Sequence, residues 1–156
     1  MEFKKEAFEA AKPSIIGLVA LTLVKMGTVI LMPDSAIAVL SGLPCDLVFL
    51  GLVLFAGYRA TKILGHDINA AVGAGALAAL VQAVVWTALM LIWIIVSYQT
   101  GQARVSSALW SALGPGMTLA AALVMAFVVS AAIGLASVLV NGCVGAVGGF
   151  IGQRLK

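Results

Sequence analysis

A chain of 156 residues that is 63% hydrophobic and 10% charged, with a mean hydropathy of +1.17, has too few polar side chains to cover a water-soluble domain, which carries about a quarter charged residues. Lipid must solvate the rest, and the apolar runs are far longer than the roughly ten-residue alternating segments of a membrane barrel, so the expected class is all-α, a polytopic membrane protein. The net charge of +3 does not point to nucleic acid, because the basic residues flank apolar blocks, where membrane topology needs them.

In chain order, residues 1–13 form a basic segment in which Phe3, Ala7 and Phe8 stand among Lys and Glu. This segment is read as a helical extension of the first span, with a short interfacial helix as the alternative. The first span covers about 14–32 and stops at Pro33. Its basic start and the Ala36-Ile37-Ala38 triplet resemble a signal peptide, but the apolar run is longer than such a core and contains a lysine. The second span covers about 43–64 and the third about 68–97. The fourth begins after Gly114-Pro115-Gly116 and covers about 117–140, its apolar character continues past Asn141, and Asn141-Gly142 is one place where it could bend or end. Residues 141–156 read as a Gly-rich helix extension and basic tail. The connections at 34–40 and 103–113 are short and apolar. In the second, Val105, Ala108, Leu109 and Ala112 recur at helical spacing, and Trp110 suits a headgroup belt. The whole chain, 1–156, is one integral membrane domain: a bundle of four transmembrane helices.

Charge orients that bundle. Lys4, Lys5 and Lys12 precede the first span, Arg59 and Lys62 end the second, and Arg154 and Lys156 close the chain. The two other connections offer Asp34, Asp46 and only Arg104. The positive-inside rule then places both termini in the cytoplasm and the protein in the cell membrane (the inner membrane of a bacterium).

Lys25 is the one charge deep within an apolar block, and an intramembrane lysine costs about 2.5–3.5 kcal/mol on insertion scales. Thr22 and Thr28 flank it at i−3 and i+3, while Gln82 in the third span and Ser130 in the fourth share its approximate depth. These five residues make a candidate internal polar site. No carboxylate is expected at the same depth; Asp46, near the outer end of the second span, is the nearest counter-ion. A lysine that snorkels outward would account for Lys25 without any site.

In the fourth span Ser130 is followed by Gly134, Ser137, Asn141, Gly145, Gly148 and Gly152, a stripe of small and polar residues along one side of a helix. Such a stripe favours close helix contact, with another span or with another subunit. No P-loop, nucleophile elbow, HExxH or CxxC is present, and Cys45, Cys143 and the lone His66 lack metal spacing. No cofactor or metal is expected, and no enzymatic role. Two functions remain: a small oligomeric transporter or channel-like protein with a polar site around Lys25, or a non-catalytic structural or assembly subunit of a larger membrane complex. The expected partners are the lipid bilayer and a homo-oligomer or another membrane protein.

Overall fold

A computed structural model of the chain describes residues 2–31, 42–99 and 118–155, and every regular element among them is helical. Helix α1 spans Glu2–Leu31, α2 Gly42–Tyr58, α3 Ile68–Gln99 and α4 Leu119–Arg154. All four are long and apolar enough to cross a membrane, over Lys5–Thr28, Pro44–Ile63, Ile68–Val96 and Leu119–Arg154, which marks the chain as a membrane protein. The apolar connections at 34–40 and 103–113, and the Gly114-Pro115-Gly116 break, lie outside the described residues.

Two boundaries differ from a reading of hydropathy alone. Helix α1 begins near the N-terminus and passes through Pro13 without a break. Its first turns are docked rather than lying flat in an interface. Ala7, Ala10 and Ala11 are buried, and the last two join Ala56 and Ala60 of the second helical segment and Ala71 and Ala74 of α3 in an all-alanine core. Small side chains let these backbones come close, which is how helices associate where lipid removes the hydrophobic driving force. Helix α4 also continues past Asn141-Gly142 and ends at Arg154. Gly142 is seated against α3, where an added Cβ would sit 3.6 Å from Val72 and 3.8 Å from Ala76. The Asn141 amide bonds back to the Ser137 carbonyl at 2.8 Å, within the helix. Tertiary contact here overrides the roughly 1 kcal/mol by which glycine disfavours a helix. With 36 residues, α4 is about 54 Å long, well beyond the roughly 30 Å of hydrocarbon, so it must tilt or project.

Helices α3 and α4 form the most extensive pair. Helix α1 packs on α2 and α3, α4 packs on the same two helices from the other side, and α1 and α4 face each other across them. The C-terminal half of the small-residue stripe packs against both α2 and α3. A Cβ on Gly145 would stand 2.5 Å from the Ala71 carbonyl oxygen and 3.0 Å from the Gly75 Cα, and one on Gly148 would overlap the Leu54 carbonyl. Gly145, Gly148 and Gly152 are therefore occupied by other spans of the same chain.

Helix α2 closes in a π-helical turn, Arg59–Ile63, in which the Leu64 amide bonds to the Arg59 carbonyl at 3.0 Å. The turn holds Thr61, fully buried, whose hydroxyl donates to the Gly149 carbonyl of α4 at 2.9 Å. Beyond it, Asp67 caps α3: its carboxylate accepts from the Ala70 amide at 2.8 Å and from the Asn69 side chain at 2.9 Å. These bonds, the backbone one first, hold the Asp67 carboxyl below its ordinary value.

This end of the bundle gathers both chain ends. His66 Nδ1 lies 3.7 Å from Glu6 Oε1, and the Lys62 ammonium donates to the Leu155 carbonyl. Arg154 stacks over Phe150 at 5.0 Å. Arg59, Lys62 and Arg154 thus share one end with the start of α1.

Candidate functional site

Away from that basic end, the four helices leave a cavity of about 250 Å³ between them. Each of the first three helices lines it with one turn in the same pattern: Leu21, Thr22 and Lys25 from α1, Cys45, Asp46 and Phe49 from α2, Gln82, Ala83 and Trp86 from α3. Helix α4 contributes two turns, Ser130, Ile133, Gly134 and Ser137. Residues at i, i+1 and i+4 lie on one side of a helix, so each helix presents one coherent face. Gly134 packs against Ala83, where an added Cβ would sit 3.1 Å away.

The cavity carries one cation and one anion, and they meet. Lys25 Nζ stands 2.9 Å from Asp46 Oδ1. The lysine side chain is 30% exposed and the aspartate 71%, so the pair lies toward the mouth. At about 1.5 Å per residue, Lys25 is some 20 Å along α1 from Lys12, and Asp46 is some 20 Å along α2 from Arg59. Asp46, the nearest counter-ion by sequence, stands near the end of its span, Pro44–Ile63, and Lys25 stands near the corresponding end of Lys5–Thr28, so the two meet there rather than at mid-depth. The two helices run in opposite directions, and their registers bring both residues to the same level. A pair this open would be worth about 0–1 kcal/mol in water; lipid around α1 and α2 screens it less.

Of the five residues expected around an internal site, four line this cavity: Thr22, Lys25, Gln82 and Ser130. Thr28 is not among the lining residues, and its hydroxyl bonds to the Val24 carbonyl at 2.9 Å. The reason is rotational. Thr22 and Thr28 flank Lys25 from opposite sides and stand roughly 120° apart around the helix, so they do not share one inward direction. Thr22 is buried, and its hydroxyl donates to the Leu18 carbonyl at 2.8 Å, so it shapes the wall more than it offers a free donor.

The stripe of α4 divides at Asn141. Above it, Gly134 and Ser137 line the cavity. Below it, Gly145, Gly148 and Gly152 pack against α2 and α3. Asn141 is buried at the junction and donates to the Ser137 hydroxyl at 2.9 Å, which fixes that hydroxyl. Cys45, Phe49 and Trp86 are lining residues that hydropathy did not single out. Their signal was their spacing from Asp46 and Gln82 at i−1, i+3 and i+4.

Chemically, the cavity offers an ion pair, an amide, two serine hydroxyls, a thiol and two aromatic faces. Among the described residues no three His, Cys, Asp or Glu side chains come together as metal ligands. The groups present can bind a small polar solute by charge and hydrogen bonds, with Phe49 and Trp86 against its apolar part. Comparison with protein-family models, with curated proteins and with solved structures returned no match, so the site stands on its own chemistry.

Proposed function

We propose that this protein is a small transporter or channel-like membrane protein whose solute passes through the cavity around Lys25 and Asp46. One observation carries the reading: all four helices turn polar or small side chains into one cavity, and a lysine–aspartate pair stands in it. Ionisable side chains that face one another from membrane-spanning helices mark solute or ion pathways by default. In this proposal both termini and the 64–67 connection face the cytoplasm, supported by the basic residues gathered at that end, and the protein resides in the cell membrane. The outward face of α4, where Leu135, Leu139 and Val140 are exposed, meets lipid and, in an oligomer, a second copy of the chain.

The subunit reading has less support, because the glycines that would have met a partner are occupied within the bundle. The test is solute flux into proteoliposomes. Lys25→Ala should abolish it or change its pH dependence while circular dichroism stays helical; unchanged flux sinks the assignment.

A further inference from the structure

We infer that the cavity takes a small zwitterion, a solute that carries an ammonium group and a carboxylate or similar acid group and is no larger than a small amino acid or betaine. The inference rests on the transport reading and names its substrate class.

Charge balance at the Lys25–Asp46 pair selects the solute. With no solute bound, Lys25 and Asp46 neutralise each other at 2.9 Å. A solute bearing only a negative charge can reach Lys25 only by displacing Asp46, which then loses the partner it holds at 2.9 Å. A solute bearing only a positive charge strands Lys25 in the same way. Displacing one member leaves a charge unpaired at the mouth, whereas exchanging both keeps every charge paired. A zwitterion exchanges both: its acid group takes Lys25, its ammonium takes Asp46, and the net charge of the site does not change. One ion pair becomes two.

Lys25 belongs to α1 and Asp46 to α2, so the pair ties two helices together across the mouth. A solute that enters between them separates the tie and then replaces it. The empty site is latched, and the occupied site is bridged through the solute.

At about 30 Å³ per water, a cavity of about 250 Å³ holds roughly eight waters, and it lies just below the range typical of drug-sized ligands. Gln82 and Ser130 can bond to the acid group or a substituent. Phe49 and Trp86 give an ammonium aromatic faces, which attract cations.

Cys45 lines the same cavity and serves as a reporter. In a Cys143→Ser background, where Cys45 is the remaining thiol, its alkylation by N-ethylmaleimide is measured in lipid nanodiscs. The probes are two zwitterions, L-alanine and glycine betaine, and two ions of matched size, propionate and ethylammonium. The expected result is that at least one zwitterion slows alkylation about tenfold at millimolar concentration while neither ion does. Asp46→Asn should then shift protection to propionate, and Lys25→Gln should shift it to ethylammonium. The exchanged pair, Lys25→Asp with Asp46→Lys, should keep the zwitterion preference and guards against a variant that fails to fold. Protection by propionate or ethylammonium alone in the unaltered pair, or by none of the four probes, overturns the inference. Protection without flux in proteoliposomes leaves the zwitterion site standing and sinks transport. Flux of a singly charged solute that ignores both zwitterions does the reverse.

Discussion

Gly145→Ala is the most informative single change to the architecture. The new Cβ would stand 2.5 Å from the Ala71 carbonyl oxygen, where ordinary contact begins at 3.4 Å. Helices α3 and α4 must therefore separate locally by about 1 Å. A gap of that size forfeits a quarter to a half of the dispersion attraction for each atom pair it opens. Overfilling a well-packed site typically costs about 1–3 kcal/mol, and the separation also affects α2, because a Cβ on Gly57 would overlap Gly145 itself. The control is Gly51→Ala. Gly51 is exposed in α2 with nothing within 4 Å of an added Cβ, so alanine there should be neutral or stabilise by up to about 1 kcal/mol through helix propensity. The assay is reversible unfolding in mixed micelles of rising SDS content, read by circular dichroism. Because the contact lies within one chain, the loss at Gly145 should not depend on protein concentration. Equal tolerance of the two alanines, or a loss that vanishes on dilution, would refute the account of the stripe as an internal seam.

Other consequences can be checked alongside. Thr61→Val removes the hydroxyl that reaches the Gly149 carbonyl and should destabilise by roughly 0.6–1.7 kcal/mol in the same unfolding assay. In a double-mutant cycle, Lys25→Met and Asp46→Leu should depart from additivity by up to about 1 kcal/mol, the worth of an open pair; additive losses would mean the pair contributes nothing. Asp67 has its carboxyl held low by the α3 cap, so it stabilises the fold above the ordinary aspartate range, and that part is lost as pH falls through the lowered value. Asp67→Asn should keep most of the cap and remove this acid dependence, measured by unfolding midpoints down the pH scale.

Hydropathy made the four helices legible, because a run long enough to span lipid has few alternatives in sequence. The extensions of α1 and α4 beyond the apolar runs, read from sequence as helical, are held by tertiary contact rather than by apolar content. Ala7, Ala10 and Ala11 are small enough to dock a charged segment, and Gly142 to Gly152 are small enough to seat a glycine-rich one. The π turn at Arg59–Ile63 left no readable trace. Its residues would suit an ordinary helix, and the Thr61 to Gly149 bond that accompanies it joins positions remote in sequence. The cavity was legible in part. Depth alone selected Lys25, Gln82 and Ser130, since unusual polarity shows in one dimension. Direction around the helix did not, which is why Thr28 was grouped with Thr22. Asp46 was legible as the nearest counter-ion to Lys25, but the 2.9 Å contact depends on how two antiparallel helices slide past each other, which the order of residues does not record.

The central claim is that the cavity is a passage and must open in turn to both sides. Ser137 is its lining residue in α4 closest to the basic end, so it tests that claim directly. With Cys45 and Cys143 replaced by serine, Ser137→Cys is exposed to a membrane-impermeant thiol reagent applied from one face of the membrane and then, separately, from the other. The account predicts labelling from both faces, slowed when Lys25 and Asp46 are intact and faster when either is neutralised. Labelling from one face only, or from neither, would contradict it.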